Sequence, residues 1–326
     1  MNGQLLSISI VASALLFGCS AESAAPEPAA PPAVSFDQHD DRIDVKLGGE
    51  EFTTLYLSPQ GPVPYFHPLR AADGTIVSRQ YPMATGVPGE SDDHPHHRGL
   101  WFSHDQVNGV NFWANAEGAA HRGDIVLKSV GEVGGDSLSA EFEWRGFDGK
   151  ALLTESRTVR FAQDGDVRTM DFDLTLTAND AAVRFGDTKE GTFAVRLVDS
   201  MREQALGGGP GPGVIVNAEG AKGEANAWGK ASPWVDYSGP VGGKTYGIAI
   251  FDHPSNPKHP TYWHVRAYGL FAANIFGEHD FFNDPGRDGS VTLDPGGKMH
   301  FRYLVVLHPG DAESAGIASR YASWAR

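Results

Sequence analysis

The stretch Met170-Asp171-Phe172-Asp173-Leu174-Thr175-Leu176 places an apolar side chain at every second position. A period of two sends these side chains to one face of a β-strand and the polar ones to the other. Two runs of the same kind, around residues 138–144 and over residues 153–161, precede it along the chain. Short turn sequences containing Asp and Gly, at residues 147–149 and 163–166, separate the three runs. The pattern predicts three antiparallel strands in direct succession.

Further strands are predicted on both sides of these three. Residues 42–47 alternate apolar and polar, and Gly48-Gly49 turns the chain into residues 51–57, which predicts a β-hairpin. Many short strands in a chain with 40 glycines and 21 prolines predict an all-β fold. The later predicted strands lie between glycines and prolines and cover residues 191–198, 213–217, 245–251, 262–268, 270–274 and 299–307.

One helix is predicted, at the C-terminus. Ile317, Tyr321 and Trp324 are spaced by four and three residues, so they share one face of a helix. Asp311 precedes them and belongs to the residue types that cap helix N-termini. We expect a short C-terminal helix that packs against a sheet as a lid.

The N-terminal segment is typical of an export signal. The apolar run at residues 5–18 is too short to span a bilayer, and Leu16-Phe17-Gly18-Cys19 resembles the lipobox of bacterial lipoproteins, in which the cysteine is lipidated. An ordinary secretory signal is the alternative. The Ala- and Pro-rich residues 20–34 predict a tether, which leaves residues 35–326 as a single β-sandwich domain. We expect an exported protein with a signal peptide over residues 1–19, periplasmic or an outer-membrane lipoprotein of a Gram-negative bacterium.

The composition excludes several classes of function. A formal charge of -15 argues against a nucleic-acid surface, because phosphate binding depends on clusters of Lys and Arg. The chain has no P-loop, Rossmann glycine fingerprint or nucleophile elbow, so nucleotide chemistry and serine hydrolysis have little support. With Cys19 as the single cysteine, no disulfide can form within the chain. The expected partner is a small-molecule or glycan substrate, with membrane contact through a lipid anchor only.

Polar and titratable residues are densest at residues 92–104, which hold four of the thirteen histidines. On an extended strand His94 and His96 would point to the same face and, with Asp93, could bind a divalent metal. The alternative assigns the cluster to proton transfer, with His97 as acid or base and Arg98 holding a carboxylate or a developing oxyanion. The sequence leaves open which reading holds and whether any cofactor is used.

Two further clusters carry similar chemistry. In residues 186–191, Glu190 or Asp187 is a candidate carboxylate partner whose proton affinity Lys189 could tune. In residues 251–264, Asp252 could orient His253 as a second acid or base. Residues 217–220 and 228–237 are expected to be loops that line a polar cleft. Proline-bounded loops rich in His, Asp and Trp on a β scaffold suggest one shared site.

Several motifs occur together over most of the chain. They are Asp93-His94-Pro95-His96-His97-Arg98-Gly99-Leu100-Trp101, Gly186-Asp187-Thr188-Lys189-Glu190-Gly191 and residues 65–69, 108–109, 112–113, 234–239 and 247–254. With these motifs the chain resembles a bacterial family of unknown function labelled PmoA-like. The resemblance implies a two-sheet antiparallel β-supersandwich similar to galactose mutarotases and to the sheet domains of polysaccharide lyases, and an association with sugar oxidoreductases and keto-sugars. It implies no methane oxygenase activity, because that enzyme subunit is an integral membrane protein and this chain has no sufficiently long apolar run after its signal.

The leading hypothesis is an exported carbohydrate-active enzyme of the epimerase, hydrolase or lyase type. A glycan-binding surface lipoprotein without catalysis and a His-ligated metal-dependent lyase or oxygenase are the alternatives. Aromatic rings can stack on the apolar face of a sugar, which makes tryptophans candidates for binding. The predicted catalytic residues are His97, His253, Glu190, Asp187, Arg98 and Lys189. The predicted substrate-binding residues are His67, Trp101, Asn108, Trp113, Arg196, Trp234, Asp252 and Trp263.

Overall fold

The computed structural model describes Met1 and residues 33–57, 62–114, 118–119 and 121–326. The predicted signal peptide with Cys19 and most of the predicted tether lie outside the described residues. The strands are β1 (Val34–Gln38), β2 (Arg42–Leu47), β3 (Glu50–Tyr56), β4 (Tyr65–Phe66), β5 (Leu100–His104), β6 (Asp124–Gly134), β7 (Ser137–Arg145), β8 (Ala151–Asp164), β9 (Val167–Ala178), β10 (Val183–Phe185), β11 (Gly191–Arg196), β12 (Val214–Asn217), β13 (Trp234–Val241), β14 (Lys244–Asp252), β15 (Tyr262–Val265), β16 (Leu270–Asn274), β17 (Val291–Leu293) and β18 (Lys298–Pro309).

The strands form two large antiparallel sheets. The first sheet has the order β1-β2-β3-β4-β5-β11-β16-β15 and the second the order β12-β13-β14-β18-β9-β8-β7-β6, while β10 and β17 pair separately. The expected succession of three strands is present as β7, β8 and β9, and each pairs with the next. The predicted two-sheet antiparallel sandwich is therefore confirmed.

Aromatic side chains fill the space between the two sheets. Phe193 of the first sheet stacks on Tyr303 of the second, with ring centroids 4.6 Å apart. Phe102 approaches Phe301 to 5.7 Å. Successive side chains of a strand point to opposite faces. The residues beside Phe102 and Phe193 in sequence therefore point away from the core, to the outer face of the first sheet.

The outer face of the second sheet is covered by the C-terminal helix α3 (Ile317–Trp324). Tyr321 and Trp324 pack on Phe251 with ring centroids 5.5 and 6.0 Å away, which confirms the predicted helix and its apolar face. The predicted cap is wrong, since Gly316 is the N-cap residue. The Asp311 carboxylate instead accepts a hydrogen bond from the Ser314 amide (2.9 Å) and closes a turn before the helix.

Some elements differ from the sequence prediction. Residues 234–237, expected in a loop, begin strand β13, because Val235 and Tyr237 face the core while Trp234 packs under α3. A strand buried on both faces shows no period of two. The helices α1 (Glu224–Ala227) and α2 (Glu278–Phe282) were missed because four or five residues are too few to show a helical period. Within the described part of the chain, no helix has the length and apolar character needed to cross a membrane.

Candidate functional site

A row of side chains crosses four strands on the outer face of the first sheet. Trp101 of β5 lies opposite Ala194 of β11, which lies opposite Ala272 of β16, which lies opposite His264 of β15. All four side chains are buried. Ser103 and Thr192 face each other in the next row, and Arg196 lies on the same face of β11. We call these outward-facing residues of β5, β11, β16 and β15 the outer face.

A turn before β5 brings the histidine cluster over the end of the outer face. The His97 amide donates a hydrogen bond to the His94 carbonyl (2.9 Å), with Pro95 at the position of the turn that proline favours. His94 has a left-handed φ of 46°, so the expected extended conformation of residues 94–96 is wrong. Gly99 has a φ of 54°, and a Cβ there would collide with the Phe66 carbonyl. Only glycine lets the chain enter β5 so close to β4.

The turn builds a continuous stack of rings. Tyr268 stacks on His94 (5.3 Å between centroids), and His94 stacks on His97 (4.8 Å). His97 in turn stacks on Trp101 (5.3 Å), which contacts Trp113 at 5.1 Å. Trp101 and Trp113 are both 1% exposed, so their rings are packed against protein rather than open to a sugar. Their predicted stacking on a ligand would require this cluster to open.

Two fully buried arginines hold Asp93 beneath the histidines. Arg79 Nη1 donates to Asp93 Oδ1 at 2.6 Å, and Arg196 Nη2 donates to the same oxygen at 2.8 Å. Burial alone would raise the pKa of the Asp93 carboxyl, but the hydrogen bond to His94 and the charges of the two arginines outweigh it and leave the pKa well below its usual range. Asp93 is therefore an ionised anchor for the turn.

His97 is a neutral hydrogen-bond donor. Arg196 Nη1 lies 3.0 Å from its Nδ1, and because a guanidinium can only donate, Nδ1 must accept and the ring proton must be on Nε2. Burial, followed by the charges of His96 and Arg196, lowers the pKa of His97 well below its ordinary value. Since its Nδ1 lone pair is occupied, the predicted role of His97 as a base does not fit this geometry. The Nε2–H group can donate to a ligand.

His264 repeats this arrangement at the other end of the row. The Trp228 indole N–H donates to its Nδ1 at 3.4 Å, which again leaves the ring proton on Nε2. Burial lowers the pKa of His264 to about 3. A neutral imidazole with an Nε2–H donor therefore lies at each end of the row: His97 over Trp101, and His264 on β15.

His96 and Arg98 lie beside His97 and are less engaged. The His96 ring meets the His97 ring edge-on at 4.4 Å, and burial lowers the pKa of His96 to about 4. Arg98 is half-buried, and its guanidinium has no hydrogen bond or ion pair with any described residue. His96 is thus a neutral base and Arg98 an uncommitted cation.

Several buried polar atoms of the outer face have no hydrogen-bond partner among the described residues. They are Ser103 Oγ, Thr192 Oγ1 and Arg196 Nε, and Trp113 Nε1 lies beside them against Trp101. Buried polar groups are nearly always satisfied, by protein, by water or by a ligand. Their concentration on one face indicates a place for a polar molecule.

The second cluster lies at the opposite end of β5 and β11, where Gly191 pairs with His104. Asp187 accepts hydrogen bonds from the amide and Nδ1 of His279 (3.0–3.2 Å), so it anchors α2 instead of facing a ligand. Lys189 pairs with Glu190 at 3.1 Å. Burial, then the charge of Glu190, raises the pKa of the Asp105 carboxyl to about 6. This carboxylic acid, missed in the sequence, directly follows β5.

The third cluster does not join the first as expected. His253 lies on the outer side of the second sheet, where its ring meets Trp324 at 5.0 Å and its Nε2 is 3.3 Å from Arg302. His97 is above the first sheet, so the two histidines belong to opposite sides of the sandwich. Asp252 does not orient His253, because its carboxylate bonds His259 (2.7 Å) and the Thr261 amide (2.9 Å).

The remaining predicted binding residues have structural contacts. Trp263 is fully buried in the core against Phe271 (5.5 Å), and Trp234 packs in the cluster under α3, so neither ring is available to stack on a sugar. Asn108 ties its loop to β10 through the Arg184 amide (2.8 Å). Burial lowers the pKa of His67, which lies next to β4, to about 4. Of the predicted binding residues, Trp101 and Arg196 are members of the outer face.

The geometry does not suit the metal hypothesis. Within the described ranges, no group of three or more His, Cys, Asp and Glu side chains could hold a metal ion. His94 and His96 lie edge to face (5.7 Å between centroids), and Asp93 is engaged by two arginines. These three residues do not form a metal centre in this arrangement.

Two of the residues that sequence reasoning missed, His264 and Asp105, had a signal that could have been used. His264 and Trp263 are neighbours on β15, and the alternation of the strand decides which of them faces the core. Arg79 and Tyr268 have no local motif and reach the site only through tertiary folding, since Arg79 precedes Asp93 by fourteen residues. Asp105 directly follows the histidine-rich residues 92–104, and this adjacency in sequence was the signal that could have identified it.

Fold and site together define a class of protein: a two-sheet antiparallel sandwich that carries a polar site with histidines on the outside of one sheet. Residues 42–322 match the family described as "Family of unknown function (DUF6807)", and the chain belongs to that family. That description does not mention PmoA or a methane oxygenase. No curated protein matches the chain in sequence.

Solved structures that align with the chain include sugar enzymes. An α-galactosidase from Lactobacillus brevis has 9% identity and a TM-score of 0.37, with 86% of this chain and 39% of that chain covered. A GH36 α-galactosidase from Geobacillus stearothermophilus has 10% identity and a TM-score of 0.40, with 86% and 41% covered. A protein named as an aldose 1-epimerase from Escherichia coli K12 has 14% identity and a TM-score of 0.36, with 85% and 99% covered. The chain spans about two fifths of these α-galactosidases, and likenesses this distant carry no argument about activity.

Proposed function

We propose that this protein is an exported carbohydrate-active enzyme that acts on a sugar or keto-sugar by acid/base chemistry of the epimerase, hydrolase or lyase type. The observation that carries the proposal is the pair of buried, neutral imidazoles of His97 and His264, each with its Nδ1 occupied and its Nε2–H free to donate. They flank a sheet face with unpartnered buried hydroxyls. A polyol supplies the donors and acceptors that such a face lacks.

The chemistry follows from the protonation states. A neutral N–H donor aimed at a carbonyl or hydroxyl oxygen stabilises negative charge as it develops there, without giving up its own proton. His97 is built for this role because Arg196 fixes its tautomer. Its neighbour Trp101 and the rest of the ring stack hold the imidazole in place and exclude water.

His96 is the proposed proton acceptor. Its ring contacts the His97 ring directly. The His94 ring does so too, but its Nδ1 is engaged by Asp93 at 3.0 Å. A candidate base is chosen by such geometry before pKa. Asp105, with its raised pKa of about 6, is the alternative proton carrier at the far end of β5. No step needs a metal ion.

Export rests on the apolar run and Cys19, which lie outside the described residues. Cell fractionation with a globomycin-sensitivity test separates a lipid-anchored form from a freely secreted one, and cytoplasmic retention of the mature protein would refute export.

The catalytic proposal is tested by turnover of aldoses and keto-glycosides followed by NMR. The variants are His97→Gln and His264→Gln, with His253→Gln as the matched control on the other sheet. We expect a loss of 10²–10³-fold for His97→Gln, the usual effect of removing a donor to a developing oxyanion, and no change for His253→Gln. Sugar binding without any product would contradict the enzyme proposal and favour a glycan-binding lipoprotein.

A further inference from the structure

Three buried donors of the histidine cluster have no hydrogen-bond acceptor among the described residues. They are Arg79 Nε, Arg196 Nε and Trp113 Nε1, and all three can only donate. Asp93 Oδ1 does not serve these atoms, because it already bonds Arg79 Nη1, Arg196 Nη2 and His94 Nδ1. What these three atoms lack is an acceptor.

The carboxylates around this turn compensate the three arginines unequally. Asp93 bonds both Arg79 and Arg196, and the charge of Asp199 also acts on Arg196. The groups whose charges act on the Arg98 guanidinium are Tyr65 and Arg122, and no described carboxylate is among them. In a chain with a formal charge of -15, Arg98 is left as an uncompensated cation that attracts an anion.

Only one of these three arginines can touch a ligand directly. Arg79 and Arg196 have no exposed side-chain surface, whereas Arg98 is half-buried and lacks a partner within the described chain. Its neighbours are His96, Tyr65 and Arg122. Arg122 is committed to Asp124 at 2.9 Å. The planar guanidinium of Arg98 is therefore the free anchor beside the proposed base.

We propose that the substrate is an acidic sugar, whose carboxylate is bound by the Arg98 guanidinium while its hydroxyls and carbonyl lie along the outer face. This inference rests on the proposed function, since it names the substrate class of the same site. One accessible guanidinium matches a monoanionic carboxylate in a two-pronged hydrogen bond. Arg79 and Arg196 are engaged by Asp93 and do not contact the ligand.

The experiment is calorimetric titration of the protein with D-glucuronate and D-glucose, and with D-galacturonate and D-galactose. The variants are Arg98→Gln and Arg98→Lys. The matched control is Arg160→Gln, because Arg160 is an exposed arginine on β8 that also lacks a partner among the described residues. We expect the acid to bind at least tenfold more tightly than its neutral counterpart. Arg98→Gln should abolish this preference, Arg98→Lys should keep part of it, and Arg160→Gln should keep all of it.

Each other outcome overturns the inference in a recognisable way. If neutral sugars bind or turn over as well as the acids, the acidic substrate class is wrong and the proposed function stands. If Arg98→Gln keeps its fold and its preference for the acid, the anchor is wrong. Tighter binding of glucose 6-phosphate than of glucuronate would show that the anionic group of the ligand is a phosphate and not a carboxylate. If no sugar of either kind binds, the inference and the proposed function both fail.

Discussion

Buried neutral histidines make the stability of this protein sensitive to mild acid. His264, His104 and His67 have pKa values lowered to about 3, 4 and 4, in each case chiefly by burial. The unfolded chain takes up protons at these positions near pH 6.5, and the folded chain does not. Their contribution to stability is therefore complete above pH 6.5 and is lost as the pH falls from 6.5 toward the folded pKa values. Asp105, with its raised pKa, opposes this loss below about pH 6.

The size of the effect can be worked out for His264 alone. With a pKa of 6.5 unfolded and about 3 folded, linkage gives a loss of about 2 kcal/mol between pH 7.5 and pH 5. A domain has a total stability of about 5–15 kcal/mol, so several such histidines bring it close to unfolding. His264→Gln removes this proton uptake, and its amide oxygen can still accept from the Trp228 indole.

The assay is urea unfolding followed by tryptophan fluorescence at pH 7.5, 6.5, 5.5 and 5.0. Between pH 7.5 and pH 5.0 the free energy of unfolding should fall by about 2 kcal/mol more for wild type than for His264→Gln. This comparison does not depend on how far the two proteins differ in stability at pH 7.5. His121→Gln, at an exposed position, is the control and should follow wild type closely. Parallel pH profiles for wild type and His264→Gln would show that His264 is not held neutral, and the proposed donor role would lose its basis.

Two further changes test how the turn before β5 is built. Gly99→Ala should destabilise the fold by about 2–5 kcal/mol, because position 99 has a positive φ and a Cβ there collides with the Phe66 carbonyl. Gly109→Ala is the control: it also has a positive φ but open space around it, and it should cost about 1–2 kcal/mol. Thermal unfolding compares the two variants, and equal costs would contradict the steric argument. Arg196→Met should lower the free energy of unfolding by about 3–5 kcal/mol, because it removes one of the two arginines that compensate the charge of Asp93. Adding Asp93→Asn should recover part of that loss. Additive costs in this double-mutant cycle would mean that the two side chains do not interact.

The fold was predictable because strand alternation is a local signal. Residues 42–47 and 270–274 were predicted with the bounds that β2 and β16 have. The pattern failed at β13, where Trp234 is covered by α3 and the strand is buried on both faces. A local pattern cannot report which distant element will cover a strand.

The candidate site was predictable in part. Residues 92–104 were singled out by their density of titratable groups, and the structure places His96, His97 and Arg98 together beside the outer face. His253 shares the Asp-His-Pro motif of His94, yet β14 belongs to the second sheet and carries it to the other side of the sandwich. Similar composition does not imply a shared location, because sheet membership depends on long-range pairing.

The alternation along β5 separates two kinds of evolutionary constraint. Leu100 and Phe102 hold the core, while Trp101 and Ser103 on the same five residues face the site. Changes on one side leave the other side's contacts in place. A lineage could therefore acquire a new substrate by replacing outward side chains alone, and relatives of this protein should vary in specificity while the inward-facing positions keep their volume and apolar character.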